Sequence, residues 1–218
     1  MPIPVPSRLT VRRLLPSVSA PLLACASAVL LLSAPQLQGS PNAARAATAG
    51  RAAAPAMPPQ AAYAITPSRR ALLNTIRYAE GTWKQGSREG YHTLYGGGHF
   101  ASLARHPEIV VRKRYTSAAA GAYQFLPGTW KEASRRLQLE SFDPASQDQA
   151  ALYLIDRRGV LKTIDKAGLT SEAMAVLARE WASFPTLSGE SAYGQPVKRA
   201  EELVRFYRSN LEPNANQA

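Results

Sequence analysis

From residue 66 onward, apolar positions recur at the three-to-four-residue spacing of amphipathic helices, interrupted once by a stretch of different character. Thr66-Pro67 reads as a helix start, a threonine N-cap followed by proline at the first helical position. Leu72, Leu73, Ile76 and Ala79 follow on one face, and Gly81 supplies a left-handed stop. Arg88 to Ala119 holds Gly96-Gly97-Gly98, several tyrosines and Ile109-Val110-Val111, which predicts loops with short strands. Helical spacing returns at Pro127, with Trp130, Ala133 and Leu137 on one face. Asp143-Pro144 caps and opens the next helix, which closes at Gly159. Thr170 opens another, running through Met174, Leu177 and Trp181 to Pro185. Pro196 opens the last, with Ala200, Leu203, Val204 and Tyr207 apolar. There is no internal repeat. The pattern predicts an α+β, mainly helical domain with a small β-rich excursion after its first helix.

Before residue 66 the pattern differs. Residues 1–49 contain Arg8, Arg12, Arg13 and Arg45 but no acid, and Pro21–Leu32 is apolar apart from Ser27. A basic start, a short apolar run and a small-residue exit describe a secretory signal peptide. Ala47-Thr48-Ala49 offers a cleavage site and Ala44-Arg45-Ala46 a second. The alternative is an uncleaved membrane anchor, although Pro16 and Pro21 shorten the clean apolar part below the roughly 20 residues that a spanning helix needs. Cys25 lies inside the apolar run rather than at its end, which places it in the signal core and not in a lipoprotein box. Residues 50–65 are rich in Ala and Pro and read as a linker. The expected organisation is therefore a leader at 1–49, a linker at 50–65, a folded domain at 66–212 and a tail at 213–218. The expected location is periplasmic or secreted.

Composition narrows the chemistry. The 218 residues suit one ordinary domain plus a leader, and 45% hydrophobic content excludes wholesale disorder. A single cysteine excludes a disulfide scaffold and a Cys-rich zinc site. Net charge is +11, and the chain after residue 49 still holds 22 basic against 15 acidic residues. That balance favours anionic partners: nucleic acid, membrane surface or cell wall. Export argues against nucleic acid, for which no motif appears, and leaves the membrane only to an uncleaved leader. His92, His99 and His106 are spaced by seven, but Gly96–Gly98 and Pro107 break any helix that would align them. No metal or cofactor is expected. Trp130 and Trp181 sit at helical spacing and read as core, whereas Trp83 suits either core or a sugar-stacking loop. Arg112-Lys113-Arg114 reads as a guarded, solvated strand edge.

Glu80 is the most informative residue. It ends the first helix directly before Gly81, where the helix dipole disfavours a carboxylate and favours the protonated form. A general acid for glycoside chemistry needs that property. The alternative is a solvated glutamate at a frayed helix end.

The surrounding text bears on that choice. Tyr78-Ala79-Glu80-Gly81-Thr82, Gly90-Tyr91-His92-Thr93-Leu94-Tyr95-Gly96-Gly97, Ala120-Gly121-Ala122-Tyr123-Gln124-Phe125, Ser146-Gln147-Asp148-Gln149-Ala150-Ala151-Leu152, Trp181-Ala182-Ser183-Phe184-Pro185 and Ala192-Tyr193-Gly194-Gln195 stand in that order. The series resembles the lambda-type phage endolysins of glycoside hydrolase family 104, lytic transglycosylases with a lysozyme-like fold, over roughly residues 66–209. Each segment alone is a weak signal, but six in order are strong. The resemblance implies that Glu80 is the catalytic acid. It implies substrate binding by Thr82, Tyr91, Gly121, Tyr123, Gln124 and Tyr193, with Gly121–Gln124 lining the sugar cleft and Tyr193 flanking it. One departure is His92, after Gly-Tyr, where the family's lambda member carries an aspartate. A mechanism with one carboxylate fits that departure. The implied partner is the peptidoglycan glycan strand and the expected state is a monomer. A hydrolytic lysozyme remains as an alternative, with Glu89, Asp148 or Glu180 as second carboxylate. So does a catalytically silent glycan-binding module.

Overall fold

The computed structural model describes residues 61–211. The expected leader, the tail and residues 50–60 of the expected linker lie outside them. Six helices are joined by short 3₁₀ segments and one hairpin: α1 Pro67–Ala79, α2 Pro127–Leu137, α3 Pro144–Arg157, α4 Leu161–Ala167, α5 Ser171–Leu177 and α6 Ala200–Leu211. Between α1 and α2 lie 3₁₀ turns at Lys84–Gly86, Arg88–His92 and Tyr95–Gly97, then strands β1 Val111–Arg112 and β2 Thr116–Ser117. The strands pair antiparallel, Val111 with Ser117 and Arg112 with Thr116. This is the expected mainly helical α+β fold with its small β excursion after the first helix. Among the described residues no helix is long and apolar enough to cross a membrane.

The helix starts follow local chemistry. The side chains of Thr66, Asp143 and Thr170 each accept a backbone N–H in the first turn of the helix they open. α3 is the buried centre, with Gln147, Asp148, Ala150, Ala151, Leu152, Leu154 and Ile155 inside. α1 packs on α6 through Tyr78 stacked on Phe206 at 4.1 Å between ring centroids. Ser68 and Tyr207 hydroxyls at 2.8 Å and Asn74 donating to Asn210 at 2.9 Å extend that seam. Trp130 is buried beside Phe142 and Phe125, so it is a core residue. The chain before α1 is attached to α3. Tyr63 exchanges two 2.8 Å hydrogen bonds with the Gln149 amide, and its hydroxyl donates to Asp156 at 3.1 Å.

Four expectations change. α5 stops at Leu177 rather than reaching Pro185. Glu180 and Trp181 both donate their N–H to Leu177 O, and Phe184 to Trp181 O, so the chain turns tightly here. The turn lets the Glu180 carboxylate meet Arg157 and Arg158. α6 opens at Ala200, not Pro196. α4 is a separate short helix that the sequence pattern did not separate from its surroundings. Of Ile109-Val110-Val111 only Val111 is in a strand, and the first two are exposed.

Candidate active site

Glu80 is fixed by the way α1 ends. Gly81, at φ +72°, turns the chain out of the helix. Its N–H donates to Tyr78 O at 3.2 Å, and the Thr82 N–H to Arg77 O at 2.8 Å. These two bonds are the paired closure of a Schellman cap. Thr82 is then pinned from a second direction, because its hydroxyl donates to Ala122 O at 2.5 Å. The helix end and the Ala120–Phe125 turn are thereby locked together.

That turn is built around Gly121 and Gln147. Ala120 and Phe125 exchange N–H···O bonds of 3.0 and 2.9 Å. Gly121 adopts φ +81°, and a Cβ there would fall 2.3 Å from Gln147 Oε1. Gln147 Oε1 accepts the Ala122 N–H at 2.8 Å, while its Nε2 donates to Phe142 O at 2.7 Å and Tyr91 O at 3.2 Å. Gln124, half-buried, donates through Nε2 to Gly121 O and Thr93 O. Trp181 is buried and donates its indole N–H to Tyr123 O at 3.0 Å.

The chain after α5 reaches the acid. Ser183 Oγ donates to Glu80 Oε1 at 2.6 Å. Glu80 is half-buried. Burial pushes its carboxyl group up to about 7, with the Ser183 hydroxyl pulling the other way. The upward direction matches the expectation from the helix end, but the cause that raises it is desolvation. A carboxyl near 7 exchanges its proton readily around neutrality, which suits a group that first donates and then accepts. Ser183 lies within Trp181–Pro185, and nothing in the sequence pattern ties it to Glu80.

The other expected binding residues are distributed unevenly. Thr82, Tyr91 and Tyr123 are buried with their hydroxyls taken up internally. Tyr91 and Tyr123 donate to Asp148 Oδ1 at 2.8 and 2.5 Å. Burial first, and Asp148 next, push both phenols up, so they remain neutral donors. Gly121 is buried and Gln124 faces its own turn. These residues shape the backbone around the acid. Tyr193 is exposed, with its hydroxyl donating to Arg179 O at 3.1 Å.

Two of the three candidate second carboxylates are committed elsewhere. Asp148 pairs with Arg70 at 2.7 Å besides accepting from the two tyrosines. Glu180 is held by Arg157 at 2.6 Å and Arg158 at 2.7 Å. Glu89 is exposed in the 3₁₀ turn after α1. His92 and His99 stack with centroids 5.1 Å apart, whereas His106 bonds to Phe125 O inside the core.

A family model described as Endolysin matches residues 70–212. The chain is 32% identical over 149 residues to the endolysin of Escherichia phage lambda, covering 66% of this chain and 91% of that protein. It is 31% identical over 153 residues to the endolysin of Escherichia phage P2, covering 64% and 90%. Among solved structures, the bacteriophage lambda lysozyme complexed with a chitohexasaccharide superposes with TM-score 0.61 at 32% identity. That match covers 68% of this chain and 96% of the other. A second structure, of lysozyme from bacteriophage lambda, gives TM-score 0.59 at 28% identity over the same shares.

Proposed function

We propose that this chain, which belongs to the endolysin family and is a peptidoglycan-acting enzyme, cleaves glycan strands as a lytic transglycosylase. The observation that carries the reading is Glu80: one carboxyl group, raised to about 7 by burial and oriented by Ser183. The ion pairs that hold Asp148 and Glu180 support a mechanism with one working carboxylate.

Protonated Glu80 donates to the oxygen that links N-acetylmuramic acid C1 to the next N-acetylglucosamine. The C1–O4 bond breaks, and the muramic N-acetyl oxygen stabilises the positive charge at C1. Glu80, now a carboxylate, takes the proton of the C6 hydroxyl, whose oxygen bonds to C1. The 1,6-anhydro ring closes without water, and Glu80 ends protonated, ready for the next turnover. A hydrolase of the usual kind needs a second carboxylate within roughly 5–10 Å.

Mass spectrometry of digested peptidoglycan tests this. The expected products end in 1,6-anhydro-muramic acid, one water lighter than hydrolysis products and resistant to borohydride. Reducible muramic ends would place the enzyme with hydrolytic lysozymes. Glycan binding with no cleavage would make it a silent binding module. The proposed setting is outside the cytoplasm, acting as a monomer.

A further inference from the structure

A closed circuit of contacts runs from Glu80 back to the end of its own helix. Glu80 accepts from the Ser183 hydroxyl at 2.6 Å. Ser183 O in turn accepts the Lys198 N–H at 3.3 Å. Lys198 Nζ donates to Glu202 Oε1 at 2.9 Å, and the Tyr78 hydroxyl donates to the same oxygen at 2.6 Å. Lys198 Nζ also lies 4.3 Å from the Tyr78 ring centroid. Tyr78 stands two residues before Glu80, and its carbonyl accepts the Gly81 N–H that turns the chain out of α1. The acid's side and the Ser183 side of one hydrogen bond thus both lead to the Glu202 carboxylate.

As a source of stability this circuit is weak. The Lys198 and Glu202 side chains are 32% and 33% exposed, and an exposed pair one helical turn apart contributes little. Without it, α1 and α6 still meet through Tyr78 on Phe206, Ser68 with Tyr207 and Asn74 with Asn210. Those contacts do not reach the chain between the Ser183 turn and α6. There Leu187–Glu190 and Ala192–Pro196 are exposed, and the chain meets Ser183 O again at Lys198. Glu202 and the Tyr78 ring tie Lys198 to α1 at that point. A hydroxyl that must meet a carboxyl oxygen depends on such placement, because a small displacement breaks the bond.

We propose that Glu202 is a positioning residue, which acts through Tyr78 and Lys198 to hold the end of α1 and the Ser183 turn where Ser183 reaches Glu80. The inference deepens the function proposed above and rests on Glu80 as its acid. The groups facing Glu202 are Tyr78 from α1, Lys198 ahead of α6 and Arg205 on α6. The influences on the Glu80 carboxyl are burial and the Ser183 hydroxyl. Loosening the clamp withdraws the hydroxyl and leaves the burial.

The experiment uses the full chain. Carboxyl NMR follows the titration of Glu80, with its signal assigned by Glu80→Gln, and kcat and KM are measured on cell-wall glycan across the same pH range. Tyr78→Phe removes one hydroxyl, alters no charge and keeps the ring on Phe206. It is expected to move the Glu80 midpoint up by about 0.3–0.5 pH unit. At neutral pH, kcat should fall about threefold with KM little changed. Glu202→Gln should move the midpoint in the same direction. In a Ser183→Ala background neither substitution should move it further, since the hydroxyl they position is gone. Glu201→Gln, an exposed neighbour outside the circuit, should leave it in place.

An unmoved midpoint in both Tyr78→Phe and Glu202→Gln overturns the proposal. So does a downward shift in Glu202→Gln with none in Tyr78→Phe, which would report the freed Lys198 charge. Equal shifts with and without Ser183 overturn it as well. A midpoint that moves as expected while Glu80→Gln still cleaves glycan would refute the acid and uphold the clamp. An unmoved midpoint with Glu80→Gln inactive would do the reverse.

Discussion

The Ser183 hydroxyl donates to Glu80 Oε1 at 2.6 Å across 103 residues of chain. Ser183 is itself held, because its carbonyl accepts the Lys198 N–H at 3.3 Å. The acid at the end of α1 thus takes its orientation from the turn that follows α5. Two opposed influences meet on one carboxyl group: burial raises its pKa and the hydroxyl lowers it. The balance near 7 is what gives a single glutamate both roles in the proposed reaction.

Replacing Glu80 by Gln is expected to abolish glycan cleavage while leaving the fold intact. Gln retains an acceptor for Ser183 and removes only the transferable proton. Glu80 holds its proton more tightly folded, near 7, than unfolded, near 4.5. Its stabilising contribution is therefore full below about pH 4.5 and is lost as pH rises through 7. Above pH 7 the variant should be the more stable form, by about 1–3 kcal/mol. Turbidity clearance of cell walls and urea denaturation at pH 8 check the two halves; near-normal turnover would remove Glu80 from the mechanism.

Ser183→Ala removes the one influence that lowers the Glu80 pKa. The alkaline limb of kcat/KM, where the acid loses its proton, should move to higher pH by about half a unit to one unit. Turnover at neutral pH should fall by about threefold to tenfold as the carboxyl loses its orientation. A pH–rate profile measured from pH 5 to 9 distinguishes these effects. A loss of rate with an unmoved limb would reduce Ser183 to a packing residue.

How legible the site was depended on range. Thr66-Pro67, Asp143-Pro144 and Gly81 act within one helical turn, so their residue types alone located helix ends. The course of the chain after Leu177 was not legible. Trp181 continues the apolar spacing of α5, but its indole N–H is drawn to Tyr123 O, and Glu180 is drawn to Arg157 and Arg158. Those partners lie far away in sequence, and periodicity carries no trace of them. Gln147 is another such case. A glutamine in a helix normally reads as solvated, yet here it ties together Ala122, Phe142 and Tyr91. Burial of Arg77 is hidden from the pattern in the same way, because its rings and carbonyls come from the loop that follows. Tyr91 and Tyr123 were selected by resemblance, and the structure adds what each hydroxyl does, namely satisfy a buried aspartate.

Gly121→Ala is expected to be severe. A methyl group there meets Gln147 Oε1 at 2.3 Å and Phe142 Cζ at 2.8 Å, with φ already at +81°. Gln147 must move, which breaks its bond from the Ala122 N–H and strains those to Phe142 and Tyr91 carbonyls. Backbone strain and a lost buried hydrogen bond together cost about 3 kcal/mol or more. Tm should fall by about 6–12 °C for a domain of this size. Activity should fall with it, since Ala122 O anchors Thr82 beside Glu80. A Tm within about 2 °C of the parent would mean that the turn relaxes without Gln147.

His106 should make stability depend on pH in the sense opposite to Glu80. It is buried, its Nδ1 accepts the Glu108 N–H at 3.1 Å, and its Nε2 contacts Phe125 O at 2.8 Å. Those two bonds require a neutral ring with its proton on Nε2. The ring also meets Phe142 edge-on at 4.9 Å between centroids. Burial lowers its pKa, while the Phe125 carbonyl and the Glu108 charge push back. At pH above the ordinary value of 6.5 the ring is neutral folded and unfolded, and its bonds contribute in full. As pH falls through 6.5 the unfolded chain takes up a proton that the folded ring resists, so stability drops. Over part of this window Glu80 gains stability as pH falls, and the parent protein would show the two slopes partly cancelled. Denaturation of Glu80→Gln between pH 5 and 8 isolates the histidine. Its stability should decline steadily below pH 6.5, and in Glu80→Gln/His106→Gln that decline should vanish at the expense of a lower plateau. A decline that persists in the double variant would assign the acid sensitivity to another group and leave His106 with packing alone.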